Sequence, residues 1–265
     1  SSHAASGAVT SSSSVNGAIS PTVSVIYTPV KPLVTYATFA RSVEQGDEAS
    51  AGTVNANEFL APYNDYEYEI GAKYSPTTKL LVTVDGFRMT RPLAATDAAT
   101  NIFQVIGTQR NWGAEAFVQG QVTASLSLLG GVTYIDPRLI GTGNPATNDG
   151  LVVGVPHFKG DLVLDYHPAF ARGFALTGAL HTESRRAATN INNSFAPGYG
   201  TLDAGARYTH GLGTHLLTVR FQALNATDRR YFSSVADGNI AGSPGANTAY
   251  SATPRTYEAN IAFDL

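Results

Sequence analysis

Residues Pro254–Leu265 read Pro-Arg-Thr-Tyr-Glu-Ala-Asn-Ile-Ala-Phe-Asp-Leu. In an extended strand successive side chains point to opposite faces, so Tyr257, Ala259, Ile261, Phe263 and Leu265 share one face and Glu258, Asn260, Ala262 and Asp264 the other. One face is apolar and carries two aromatic rings; the other is polar. A strand that meets lipid on its outside and a wet lumen on its inside has this pattern. The rest of the chain is read against that stretch.

Composition points the same way. Of the 265 residues only 14% are charged and 43% are apolar, with a formal net charge of −3. There is no basic surface of the kind nucleic acid needs, so nucleic acid is not an expected partner. Tyr (13), Phe (12) and Gly (26) are abundant, whereas Lys, Glu and Leu, which surface helices favour, are sparse. The expected fold class is all-β. Cysteine is absent, which removes disulfides and thiolate metal sites. No run approaches the length of a membrane-spanning apolar helix. A barrel stays open, because alternation averages its hydropathy away.

Residues 1–20, with four serines at Ser11–Ser14, show no period and are read as a loop or tail on the extracellular side. From 21 to 265 about eleven strand-like segments follow, separated alternately by short and long connections. They are Thr22–Thr28, Leu33–Ser42, Asp65–Tyr74, Lys79–Thr90, Gln109–Gln119, Ala124–Ile135, Pro156–Tyr166, Gly173–Glu183, Tyr199–Thr209, His215–Asn225 and the C-terminal stretch. Asp65–Tyr74 alternates most cleanly, with Tyr66, Tyr68, Ile70, Ala72 and Tyr74 set against Glu67, Glu69, Gly71 and Lys73. The long connections are Val43–Asn64, Arg91–Phe103, Asp136–Val155, Ser184–Pro197 and Ala226–Thr253. Short turns at one rim and long loops at the other characterise outer-membrane barrels, and a sandwich mixes its loop lengths more freely. Eleven antiparallel strands cannot close on themselves, since the first and last run the same way. The chain is therefore expected to supply about half of a larger barrel.

Several segments then resemble the C-terminal part of TonB-dependent outer-membrane receptors, most of all the siderophore-receptor branch. Asp65-Tyr-Glu-Tyr-Glu-Ile-Gly-Ala-Lys-Tyr-Ser-Pro is similar to a recurrent strand and turn of that family, and Gln109-Arg-Asn-Trp-Gly-Ala-Glu-Ala to the strand after an outer loop. Leu126-Ser-Leu-Leu-Gly-Gly-Val-Thr-Tyr-Ile-Asp, Val155-Pro-His, Pro197-Gly-Tyr-Gly-Thr-Leu-Asp-Ala-Gly, Asn225-Ala-Thr-Asp-Arg-Arg-Tyr and Pro254-Arg-Thr follow in the family's order. Ala226-Thr227 departs from the usual Leu-Phe, and Leu265 stands where the family ends in Phe. The resemblance implies half of a barrel of about 22 strands that surrounds an N-terminal plug. It also implies a set of partners: the N-terminal half of the barrel and its plug domain, TonB through the plug region, outer-membrane lipid, the barrel-assembly machinery, and a siderophore ligand. Tyr257, Ile261, Phe263 and Leu265 would form the assembly signal. Iron enters only as part of the chelated ligand, and no cofactor is expected.

No G-x-S-x-G, P-loop, H-E-x-x-H or calcium-loop spacing occurs, so no catalytic residues are assigned and no enzyme is expected. His3, His157, His167, His181, His210 and His215 are scattered, which gives no metal ligand set. Glu67, Glu69, Asp161 and Asp165 read as a solvated lumen wall rather than paired acid and base. A bulky, anionic, often aromatic chelate calls for guanidinium and aromatic side chains at the loop bases. The candidates are Tyr63, Arg91, Arg110, Trp112, Arg185, Arg186, Phe195 and Tyr250, although for each the plainer reading, a rim aromatic or a solvated arginine, has the greater weight. Two other functions stay open on the residues: a complete small outer-membrane pore or adhesin, which needs a twelfth strand hidden in residues 1–20, and a soluble β-rich carbohydrate-binding module.

Overall fold

A computed structural model of the chain describes residues 2–3, 9–11, 18–236 and 248–264. Eleven strands form one sheet: β1 (Thr22–Val30), β2 (Leu33–Glu44), β3 (Tyr63–Thr77), β4 (Leu80–Thr96), β5 (Phe103–Thr123), β6 (Leu126–Ile140), β7 (Phe158–Tyr166), β8 (Phe174–Glu183), β9 (Tyr199–Leu212), β10 (His215–Leu224) and β11 (Thr256–Asp264). Each pairs antiparallel with the next in sequence, and β1 and β11 are the two edges. No described residue is helical. The eleven expected strands are all present.

The pairing register makes each face continuous. Leu164, Gly178, Ala204, Ala223 and Tyr257 are successive opposite partners across β7–β11, and so are Asp165, Thr177, Gly205, Gln222 and Glu258 one residue along. The first row is apolar throughout and the second polar or small, so a slip of one residue anywhere would carry carboxylates to the apolar side. On the apolar, outward face Val25 is 68% exposed, Ile70 69% and Ile261 73%. Neither face is covered. A soluble sandwich would bury one of them, so this surface is the reverse of what the carbohydrate-module reading requires. An uncovered apolar wall of this extent needs a lipid solvent.

On the inward face aromatic and charged groups are paired. Tyr36 lies directly opposite Gly71, where a Cβ would come within 2.6 Å of the ring, so the glycine makes room for the tyrosine. The phenol of Tyr36 then donates to Glu69 Oε1, and Lys73 Nζ sits 5.3 Å above the ring centroid. The packed core lies elsewhere. Ala49, Tyr63, Leu93, Ala95, Leu139, Ala187 and Ala196 are buried at or above the loop rim, and among the described apolar residues Ala175, at the turn end of β8, is the exception.

Three features differ from the sequence reading. The strands flanking the second long connection continue: Arg91 pairs with Gln109 and Thr96 with Phe103, with an irregularity between Leu93 and Ala94, so the loop shrinks to residues 97–102. Pro92 reads as a strand breaker because it cannot donate to a ladder. The neighbouring irregularity accommodates it at the top of a hairpin. β6 likewise runs on through Pro137 to Ile140, opposite Asn111 and Thr108. The alternation of loop lengths therefore has one inversion, since residues 97–102 are fewer than residues 167–173 at the turn rim. Finally, Ser2–His3 and Val9–Ser11, expected to lack structure, pair with each other. They do not join the eleven-stranded sheet, so among the described residues there is no twelfth strand of the kind that a small closed barrel needs.

Candidate functional site

The connections at one rim are tied to one another by side chains in two groups, largely through asparagine amides. An asparagine side chain carries both an NH2 donor group and a carbonyl acceptor, so it can stand in for a strand partner where the ladder has ended. Asn55, in the connection after β2, donates to Phe103 O at 2.9 Å and accepts from Phe103 N–H at 2.9 Å, which ties that connection to the tip of the β4–β5 hairpin. Asn101, in the left-handed region at φ 55°, donates to Gly52 O at 2.8 Å. Beneath them the Tyr63 hydroxyl donates to Asp47 Oδ2 at 3.1 Å and accepts from Asp47 N–H at 3.3 Å. Tyr63 is 1% exposed, and burial pushes its phenol up to about 12, so it remains a donor at neutral pH. Arg91 pairs with Glu44 at 3.2 Å beside it.

A second knot joins the connections after β6, β8 and β10. Asn192 accepts Leu151 N–H at 2.5 Å and donates to Leu151 O at 3.1 Å and Thr189 O at 3.0 Å. Replacing it by alanine leaves the half-buried N–H and C=O of Leu151 without their partner, at a cost toward the lower end of about 1–3 kcal/mol. Because the sheet is untouched, hydrogen exchange in residues 141–157 should rise at least tenfold for Asn192→Ala with the barrel's melting temperature unchanged. A lowered melting temperature with unaltered loop exchange would show that the amide supports the wall instead.

Arg186 is the centre of this knot. It is 5% exposed, donates to Phe232 O at 2.6 Å and Ser233 O at 3.3 Å, and pairs with Glu183 at 3.1 Å. Its guanidinium stands 5.9 Å from the Tyr199 ring, which itself stacks on Tyr231 at 3.9 Å. Arg185 covers the Phe195 ring at 4.7 Å and is more accessible. Asn225, at φ 47°, donates to Arg229 O and accepts Arg229 N–H, while its own N–H reaches Asp203 Oδ1 at 2.7 Å.

Below the knot the inward wall of β7–β11 opens a cavity of ≈ 500 Å³, lined among others by Asp161, His181, Tyr199, Asp203, Tyr231 and Glu258. His181 Nδ1 lies 2.6 Å from Asp161 Oδ1, and Nε2 lies 3.5 Å from Asp203 Oδ2; Lys159 is 3.8 Å from Asp161. The imidazole bridges two strands' carboxylates. The cavity thus combines a π roof with a hydrogen-bonding wall, which suits capture of a bulky polar solute.

The sequence candidates fall into three places. Arg185, Arg186, Phe195 and Tyr250 converge at the second knot, where Ser233 Oγ donates to Tyr250 O at 3.1 Å. Arg185, Phe195 and Tyr250 have accessible surface there, whereas Arg186 is an internal tie. Tyr63 and Arg91 meet beside Glu44 in the first knot, and buried Tyr63 anchors a loop. Arg110 and Trp112 stand on the outward face, Trp112 edge-on to Tyr134 at 6.1 Å. Tyr257, Ile261 and Phe263 project from the outward face of edge strand β11, and Leu265 lies outside the described residues. Sequence reasoning passed over Tyr199, Tyr231, His181 and Asp203. The Pro197-Gly-Tyr and Asp228-Arg-Arg-Tyr segments held the two tyrosines in plain view; nothing local distinguishes the histidine.

Comparison with known proteins adds a framework. A family model described as "TonB dependent receptor-like, beta-barrel" matches residues 1–226. The ferrichrome receptor FcuA of Yersinia enterocolitica is 27% identical over 252 residues, covering 93% of this chain and 32% of the relative. The metal-pseudopaline receptor CntO of Pseudomonas aeruginosa is 27% identical over 229 residues, covering 84% and 31%. Among solved structures, the ferric preacinetobactin receptor BauA of Acinetobacter baumannii superposes with a TM-score of 0.79 at 26% identity, covering 93% of this chain and 36% of that one. The chain thus spans about a third of the length of these relatives.

Proposed function

Because the chain belongs to the TonB-dependent receptor-like β-barrel family, a family of Gram-negative outer-membrane proteins, we propose that it forms part of a receptor that imports a ferric siderophore or a similarly large solute. The observation that carries this reading is the knot above the cavity, where Arg185, Phe195, Tyr199 and Tyr231 gather at the loop rim of a wall that is apolar outside and polar inside. Guanidinium over a ring suits an anionic, aromatic chelate. The relatives are receptors for metal chelates of differing chemistry and not enzymes, and these residues are assigned no bond-making step. Iron is cargo here, carried within the chelate.

The partners follow from the same reading. Strands of the N-terminal half would complete the barrel, a plug would fill it, TonB would act through the plug, and the barrel-assembly machinery would insert the whole.

The test is iron-limited growth of a strain stripped of its own chelate receptors and supplied with the full-length polypeptide, across a panel of hydroxamate, catecholate and carboxylate ferric chelates. At least one should restore growth, and only when TonB is intact. Growth without TonB would favour the passive-pore reading, and failure of every chelate with the protein in the membrane would sink the proposal. For the chelate that works, Arg185→Ala should raise the half-saturating concentration about tenfold, equivalent to ~1.4 kcal/mol. An unchanged value removes Arg185 from the binding surface.

A further inference from the structure

Capture at the rim leaves His181 unused. It stands on the inward face of β8, directly opposite Asp161 on β7 and Thr201 on β9. Nδ1 lies 2.6 Å from Asp161 Oδ1 and Nε2 lies 3.5 Å from Asp203 Oδ2. Among the described residues it alone has a carboxylate at each ring nitrogen; His157 and His167 each meet one. The charged groups around it are committed to other partners. Lys159 lies 3.8 Å from Asp161 Oδ2, Glu183 pairs with Arg186 at 3.1 Å, and Glu258 accepts Gln222 Nε2 at 2.7 Å. Toward the turn end Arg207, opposite Arg220, reaches Asp165 at 3.1 Å, and His167 reaches it at 2.9 Å. Tyr199 and Tyr231 are the remaining titratable groups of the cavity. When charged, His181 is therefore the one cation among the described residues within ion-pair distance of Asp203.

An imidazolium carries an N–H on both nitrogens and donates to both carboxylates, whereas a neutral ring keeps only one N–H. The shorter contact, to Asp161, keeps that proton on Nδ1, so the neutral ring turns the Nε2 lone pair toward the Asp203 carboxylate. Asp203 is where the change is felt. Its Oδ1 accepts the backbone N–H of Asn225 at 2.7 Å. Asn225, 6% exposed, accepts Arg229 N–H at 2.8 Å and donates to Arg229 O at 2.9 Å. Two residues further on, Tyr231 stacks on Tyr199 at 3.9 Å, and its carbonyl accepts Ala252 N–H at 2.9 Å. A hydrogen-bonded chain thus runs from the inward wall, through the first turn of the last connection, to the aromatic pair at the rim.

We propose that His181 is a proton-operated clasp: charged, it holds Asp203 and through it the turn at residues 225–231; neutral, it repels Asp203 and loosens that turn. Histidine changes charge between about pH 5 and 8, and protonation of this kind switches contacts built on it. The clasp is therefore closed in acid and opens as the pH rises. Its operation needs only an inward face open to water. Tighter capture by the rim in acid is the consequence, and that consequence rests on the import reading.

The experiment is hydrogen exchange of the full-length receptor in lipid nanodiscs at pH 5.5 and pH 8, each rate divided by the intrinsic rate of the same amide at that pH. Residues 225–232 should be about fivefold more protected at pH 5.5, with the β5–β6 ladder unchanged. His181→Gln cannot take up the charge and should abolish the difference. Asp203→Asn, which keeps an oxygen for the Asn225 N–H, should abolish it as well. His167→Gln, whose carboxylate partner is Asp165, should leave it intact. Wild-type protection that does not change with pH overturns the proposal and needs no variant to fold. A difference that persists in His181→Gln or Asp203→Asn, or that vanishes equally in His167→Gln, overturns it too. A receptor that restores growth on a chelate yet shows pH-independent protection overturns this inference alone, and one that shows the difference while restoring growth on no chelate overturns import alone.

Discussion

Refolded by itself in detergent, the chain is expected to give β circular dichroism without a heat-modifiable gel band, and mixing it with a separately expressed N-terminal half should produce that band. β1 and β11 are the open edges of an eleven-stranded antiparallel sheet and run in the same direction, so they cannot close on each other in the antiparallel register all the other strands use. Each edge strand is nine residues long, and alternate residues turn their N–H and C=O away from the existing partner. In lipid an unpaired backbone group costs several kcal/mol, and the two edges together reach the order of tens of kcal/mol. A typical domain's entire stability is about 5–15 kcal/mol. A heat-modifiable barrel from the chain alone would refute the open-edge argument and revive the small-pore reading.

Leu180→Arg and Ala179→Arg, neighbours on β8, should differ sharply. Leu180 is 45% exposed on the outward face between Leu162 and Leu202, and Ala179 points inward opposite Val163 and Asp203. An arginine on the lipid side near mid-bilayer costs about 2–4 kcal/mol. The same residue on the inside meets water and the Asp203 carboxylate, so a change within about 0.5 kcal/mol is expected. Urea unfolding of the assembled barrel in lipid vesicles measures both. Equal destabilisation would mean that the two faces see the same solvent, and the barrel placement would fall.

The strands were legible because their alternation is enforced by two solvents. Tyr66 to Tyr74 is apolar at every second position since any lapse would put charge in lipid, and so the period survives in the sequence. The upper part of the wall was not legible. Above the membrane both faces of β4–β6 meet water or loops, the alternation relaxes, and Pro92 and Pro137 then read as breaks although the ladder continues past them. The candidate site was legible by residue type and not by role. Arg185, Phe195 and Arg186 are adjacent in sequence or nearly so, but only the fold shows Arg186 consumed by the carbonyls of Phe232 and Ser233. Asp161, His181 and Asp203 come from three strands and are linked by register alone, which no single-sequence pattern encodes.

The wall is also uneven in height. β5 has 21 residues and β7 nine, extended lengths of about 70 Å and about 30 Å. The taller flank is held by long backbone ladders, and the shorter one is topped by segments joined by short bridges, such as Gly154 N–H to Ala187 O at 2.9 Å, and by side chains such as Asn192 and Arg186. The mouth is therefore stiff on one bank and compliant on the other. Loop length can change on the low bank at the expense of a few isolated bridges, whereas on the high bank every inserted residue must find a partner in a long ladder.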